Sequence, residues 1–192
     1  MTNKNTIRDD MMNQLSQTDI NQQHKIIQSI SHNIISLLEN ANKSANKIAV
    51  YHAHQWEINL NNIIDYCQSK NKEVYQPIAN KTHKQMYLTK YNNDKRIFVS
   101  DLEYNIIKNN QSISWDELDV IFVPLVAVDK KGYRLGRGGG YYDATFKNIS
   151  CTKLILCGVG YGIQYTDDIH HDTWDICLDY FVSENNIIQF KG

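Results

Sequence analysis

The sequence has no surplus of charge of either sign: 20 Lys and Arg stand against 21 Asp and Glu, a formal net charge of −1. A general binder of nucleic acid or of a membrane surface carries a basic face, so both classes are disfavoured and any cationic site must be local. No segment approaches the run of roughly 20 apolar residues that spans a bilayer, and the opening MTNKNTIRDDMMNQ holds no apolar core of a secretory signal. A cytoplasmic protein without membrane or nucleic-acid partners is expected, as a monomer. Cys67, Cys151, Cys157 and Cys177 form no C-x-x-C pair and no Cys/His set at zinc spacing. That argues against a structural metal or a disulfide framework and for reduced, mostly buried thiols. Repeats, long linkers and low-complexity tracts are also missing.

What is present is material for a core: 42% of the 192 residues are apolar, enough for one domain over 1–192. Ile27, Ile30, Ile34, Leu37 and Leu38 recur at helical spacing within 19–39, with Thr18 and Asp19 available as caps. A shorter helix is expected near residues 3–15, and another carries Leu60, Ile63, Ile64 and Cys67. IAVYHA (48–53), EVYQPI (73–78), MYLTKY (86–91), DVIFVPLVAV (119–128), KLILCGVG (153–160) and LDYFVS (178–183) read as strands. The polar stretch over 92–118 is expected to be an irregular crossing segment. Strands that alternate with helices predict an α/β sheet covered on both faces.

The apolar run 119–128 opens into GYRLGRGGGYYD, residues 132–143. A strand that enters glycines and then a helix offers unencumbered N–H groups to an anion, and Arg134 and Arg137 add full positive charges, so phosphate is the leading ligand. Asp143 is placed to hold a magnesium ion beside such phosphates. No Lys-Ser or Lys-Thr pair follows the glycines, so the loop is not of the P-loop type. GVGYG (158–162) imitates a dinucleotide fingerprint, but the 32 residues from 161 to 192 leave no room for the remaining strand–helix units.

DVIFVPLVAVDKKGYRLGRGGGYYD resembles the signature of the 5-formyltetrahydrofolate cyclo-ligases, which reads approximately R-[LM]-G-x-G-x-G-[YF]-Y-D after a D-x-x-x-x-P-x-x-x-x-D strand. Arg134 to Asp143 fits every fixed position. Lys4 and Arg8 match an N-terminal K-x-x-x-R, two cations on one helix face. YHAHQWEIN resembles the segment that supplies a glutamate to the folate, which places that role on Glu57, with Trp56 where the family often has a small residue. Met86 falls where the family has a methionine near the substrate. YGIQYTDDIHHDTWDICLD resembles the C-terminal motif. Counting from Gln164 puts the metal-associated aspartate on Asp175 and the later one on Asp179, although His171-Asp172 imitates the H-D of that motif. His170 stands where proline is usual, Val128 replaces a common Phe, and no Glu-Pro pair occurs near Glu103.

The resemblance implies a three-layer Rossmann-like domain of the kind shared with sugar-phosphate isomerases and CoA transferases, with a mostly parallel central sheet. It implies conversion of 5-formyltetrahydrofolate to 5,10-methenyltetrahydrofolate with ATP as co-substrate and Mg²⁺ as cofactor. Lys4, Arg8, Arg134, Leu135, Gly136, Arg137, Gly138, Gly139, Gly140, Tyr141 and Tyr142 would hold ATP. Glu57, Met86, Arg137, Gly138, Gly139, Gly140 and Tyr141 would face the folate, Asp143 and Asp175 would hold the metal, and Arg137 would be catalytic. Trp56 and His170 leave open a relative that binds nucleotide or folate without cyclisation, or one that acts on another formylated or amide substrate.

Overall fold

In the computed structural model, residues 3–17, 20–40, 44–82, 84–93, 98–110, 112–147 and 153–190 are described. Helix α1 (Lys4–Ser16) starts at Asn3, whose side chain accepts from the Asn5 N–H at 3.0 Å. The expected caps of α2 (Ile20–Asn40), Thr18 and Asp19, lie outside the described residues, as does Cys151. Helix α2 buries Ile30, Ile34, Leu37 and Leu38, while α3 (Asn61–Ser69) buries Ile63, Ile64 and Cys67, as their spacing predicts.

The strands alternate sides. From β1 (Lys47–Ala49) and β5 (Val120–Pro124), Ile48, Val120 and Phe122 join Val50 against α1, α2 and α3; Ala49, Ile121 and Val123 turn to the opposite face, where Phe146 and Phe181 pack. With β2 (Glu73–Ala79), β8 (Ile155–Val159) and β10 (Tyr180–Val182) they form a parallel centre in the order β2-β1-β5-β8-β10. Antiparallel β3 (Met86–Lys90) and β4 (Ser112–Ile113) extend one edge and β11 (Ile187–Gln189) the other. The mostly parallel, helix-flanked α/β sheet is the expected fold class. Among the described residues, no helix is long and apolar enough to cross a membrane.

Two expectations fail locally. The run 119–128 is not one strand: after Pro124 the chain leaves the large sheet, and β6 (Ala127–Asp129) pairs with β7 (Arg134–Leu135) and β9 (Tyr165–Thr166) in a second sheet. Proline has no N–H with which to continue a ladder, and Val126 N–H instead donates to Leu135 O at 2.7 Å. The segment 92–118, expected to be irregular, contains α4 (Asp101–Asn110), β4 and a 3₁₀ turn at Trp115–Glu117. Helix α4 is started by Ser100 and Glu103 in reciprocal bonds, Ser100 N–H to Glu103 Oε2 at 3.1 Å and Glu103 N–H to Ser100 Oγ at 3.3 Å.

From β1 the chain crosses to β2 on one side, and from its neighbour β5 it goes on to β8 on the other, so the connections leaving these two strands diverge. In an open parallel sheet this point leaves a crevice beyond the strands' carboxyl ends. Everything described next gathers there.

Candidate active site

A cleft of about 870 Å³ opens at that crevice. Tyr51, His52 and His54 reach it from the end of β1, Pro77 and Ala79 from β2, and Pro124 and Leu125 from β5. Its wall includes every residue that the resemblance assigns to ATP, folate or metal: Lys4 and Arg8 of α1, Glu57, Met86, all ten residues from Arg134 to Asp143, and Asp175. Trp56 and His170, the two departures nearest the site, do not line it. Trp56 packs against the core on the α1 side, beside a hollow of about 10 Å³, and His170 is exposed.

The glycine loop is held from beneath. Asp129 is fully buried, and its carboxylate accepts from the N–H groups of Lys131 at 2.9 Å, Tyr133 at 3.0 Å and Ile169 at 3.1 Å. Three charge-assisted bonds fix the turn that precedes the loop. Farther on, Gly138 has φ +95° and Gly140 φ +70°, left-handed backbone that side chains resist, so the loop can turn its amides along the cleft.

Arg134 lies under the loop rather than above it. Its side chain is 4% exposed, Nη2 donates to Asp143 Oδ1 at 3.1 Å, the guanidinium carbon sits 5.1 Å from the Tyr142 ring centre, and Nε is buried with no partner. Burial pulls its pKa down, opposed by the charge of Asp143 and then by Tyr142 and Asp175. Tyr142 is thereby occupied, stacked also on Phe146 at 6.3 Å, and burial raises its hydroxyl pKa. Tyr141, one residue earlier, meets Phe98 edge-on at 5.4 Å at the cleft wall.

The amino-terminal helix is tied to this loop and to the C-terminal motif. Arg8 Nε donates to Gly136 O at 2.8 Å and Nη1 to Asn5 Oδ1 at 2.7 Å. Lys4 Nζ meets Asp175 Oδ2 at 2.7 Å and Asp172 Oδ2 at 3.2 Å. Asp172, the competitor that the spacing set aside, therefore belongs to the same cluster, and its N–H donates to Asp175 Oδ2 at 2.9 Å. Burial works to lower the Lys4 pKa, but bonds to Asp175 and Asp172 outweigh it and the group ends above its ordinary value. For Asp175, burial would raise the carboxyl, yet Lys4 and the Asp172 amide win and it lies below its ordinary value.

Asp143 and Asp175 approach one another in the fold, since Asp143 Oδ1 also accepts from Ile176 N–H at 3.5 Å. In each carboxylate the described bonds engage one oxygen and leave the other open. Two hard oxygen donors beside a cationic loop fit Mg²⁺, which takes one or two carboxylates and completes its shell with waters and phosphate. No group of three or more His, Cys, Asp or Glu side chains that could hold a metal ion occurs among the described residues.

On the remaining wall, Glu57 Oε2 accepts from His54 N–H at 2.8 Å, closing a turn. His52 Nε2 lies 3.0 Å from Gln76 Oε1. The two histidines, with Phe98, Lys84, Lys147 and Trp174, line the cleft without having been singled out by sequence. For the histidines the one signal was position: YHAH follows a strand in the centre of a parallel sheet, where ligands bind.

The 5-formyltetrahydrofolate cyclo-ligase family model matches residues 1–184. A 5-formyltetrahydrofolate cyclo-ligase from Haemophilus influenzae is 33% identical over 169 residues, 82% of this chain and 84% of the relative. One from Escherichia coli is 27% identical over 146 residues, 74% of this chain and 80% of the relative. Among solved structures, a 5,10-methenyltetrahydrofolate synthetase from Mycoplasma pneumoniae superposes with TM-score 0.78 at 18% identity, over 95% of this chain and 99% of its own. The synthetase from Aquifex aeolicus superposes with TM-score 0.77 at 24% identity, over 98% and 93%.

Proposed function

The chain belongs to the 5-formyltetrahydrofolate cyclo-ligase family, and from that premise we propose that its cleft closes 5-formyltetrahydrofolate to 5,10-methenyltetrahydrofolate with ATP as co-substrate and Mg²⁺ bound. The ligase activity follows from the family and from relatives that cover most of the chain. One observation carries the assignment of the site: the glycine loop, its cations, two carboxylates and the folate-side residues Glu57 and Met86 line a single cleft.

The chemistry requires such a junction. The formyl oxygen is a poor leaving group until it is bonded to phosphorus. It attacks the γ-phosphorus, ADP departs, N10 bonds to the formyl carbon, and the carbon–oxygen bond breaks as phosphate leaves with the oxygen; N10 gives up its proton. Phosphoryl transfer of this kind depends on position and on charge placed where it develops, with no need of a protein nucleophile.

Of the residues 134–142 assigned to ATP, Arg134 and Tyr142 brace the loop from beneath, while Gly136 to Tyr141 face the phosphates together with Lys4 and Arg8. To do so Lys4 exchanges Asp175 and Asp172 for phosphate oxygens, which frees the Asp175 carboxylate. Asp143 and Asp175 would hold Mg²⁺, which when bound supplies positive charge against the phosphate oxygens. Arg134 keeps Asp143 in place from below. Arg137 is exposed at the cleft, and its guanidinium has no hydrogen-bond or ion-pair partner among the described residues, so it is available for the transferring phosphoryl group. Glu57 and Met86 position the folate, and Tyr141 with Phe98 supplies an aromatic wall.

Arg137→Ala tests this reading. The expected result is a fall in kcat of about 10²-fold, the scale of losing one donor at a site of developing charge, with ATP binding weakened far less. An unchanged kcat would remove Arg137 from the reaction.

A further inference from the structure

We propose that Lys84 and Lys147 form a carboxylate-binding subsite for the glutamate end of the folate; this rests on the reading of the cleft given above. Six cations line the cleft, Lys4, Arg8, Lys84, Arg134, Arg137 and Lys147, against three carboxylates, Glu57, Asp143 and Asp175. A chain with a net charge of −1 has thus concentrated positive charge in one place.

The six are not equivalent. Lys4 and Arg134 are paired with aspartates, and Arg8 donates to a backbone carbonyl and an asparagine. Among the described residues, Lys84, Lys147 and Arg137 have no hydrogen bond or ion pair on their cationic groups. Arg137 belongs to the glycine loop. The two lysines lie outside that loop, and among the described residues neither makes an ion pair with a carboxylate. Asp143 is taken by Arg134, Asp175 by Lys4, and Glu57 accepts from the His54 amide.

Two separate elements, joined by a hydrogen bond, carry them onto the cleft wall. Lys84 sits in the turn before β3 with φ +49°, its N–H donating to Asn80 O at 3.2 Å. Lys147 ends α5 (Tyr141–Phe146), its N–H donating to Asp143 O at 3.0 Å. Met86 N–H donates to Thr145 Oγ1 at 3.2 Å, which joins the two elements two residues from each lysine. Met86 and Tyr141, the residues matched to the folate side, belong to these same elements. A tetrahydrofolate carries its carboxylates on the glutamate that follows an aromatic amide. An apolar wall of Met86, Phe98 and Tyr141 with free ammonium groups beside it matches that alternation of aromatic and anionic parts.

The test compares 5-formyltetrahydrofolate with 5-formyltetrahydropteroate, which lacks the glutamate, in wild type, Lys84→Ala, Lys147→Ala and the double variant. KM for the glutamate-bearing substrate should rise about three- to fivefold for each substitution and about tenfold for both, the scale of exposed charge pairs. KM for the pteroate should stay within twofold, as should KM for ATP. An equal rise for both folates, a rise in KM for ATP alone, or no rise at all would overturn the subsite. Equilibrium binding of the same two folates to the four proteins, read without turnover, applies the same criterion. If the wild type binds folate but turns over neither substrate, the cyclo-ligase reading fails while the subsite is still decided by binding.

Discussion

Removing the Asp143 carboxylate exposes what braces the glycine loop. The Arg134 side chain is 4% exposed and that of Asp143 24%. Breaking a buried pair costs roughly 3–5 kcal/mol because the surviving charge stays desolvated. Asp143 keeps part of its surface in water, so screening trims the figure to about 2–3 kcal/mol for Asp143→Ala. Asp143→Asn keeps an oxygen for Arg134 Nη2 and should cost about 1 kcal/mol. With a urea slope of about 2 kcal/mol per molar, the midpoints fall by about 1–1.5 M and about 0.5 M. Because Asp143 also serves as a cation ligand in this account, both variants should lose turnover, the asparagine form while still well folded. Arg134→Met combined with Asp143→Ala should be less destabilised than the sum of the two single changes, since the orphaned charge goes too. A midpoint for Asp143→Ala within about 0.3 M of wild type, or strict additivity in the double variant, would refute the reasoning, the scale being set by the same slope.

The tie between α1 and the C-terminal motif should depend on pH at both extremes. Asp175 is depressed below 3.8, so its contribution is present above that value and lost as pH falls through the lowered one; Lys4 is raised above 10.5, so its contribution is lost only as pH rises beyond that. Protection of the α1 amides, taken relative to their intrinsic exchange rates, should therefore fall at acid pH and hold through neutrality, and Lys4→Met should weaken that dependence. Gly140→Ala should destabilise by about 1–2 kcal/mol through backbone strain alone, because φ is +70° and an added Cβ meets nothing within 4 Å; Gly140→Asn should recover part of the loss in a denaturation series. Burial pushes the Cys67 thiol up to about 11 and raises Cys157 as well, so alkylation near pH 8 should spare both until the protein unfolds.

The parts of this fold that could be read from sequence are those in which local pattern and tertiary demand agree. Helices α2 and α3 carry their apolar stripe at 3.6-residue spacing, and the central strands are apolar on both sides because both faces are covered. The break at Pro124 was hidden because Leu125 to Val128 are as apolar as the strand before them, and burial in the second sheet rewards the same residues. Helix α4 was hidden differently: SDLE carries its capping box, but the polar residues that follow offer little periodicity.

In the site, the loop from Arg134 to Asp143 was legible because its chemistry is contiguous. The pairing of Lys4 with Asp175 spans 171 residues and could not be inferred from spacing. Nor could the different uses of Tyr141 and Tyr142. Neighbours on a helix point about 100° apart, so one meets Phe98 and the other lies beneath Arg134.

The most direct test of the central claim is the near-ultraviolet absorbance of the methenyl product when the purified protein is mixed with 5-formyltetrahydrofolate, ATP and Mg²⁺. The account predicts growth of that band that requires ATP and is lost in Asp143→Asn. Folded wild-type protein that binds ATP and 5-formyltetrahydrofolate yet produces no such band would contradict it.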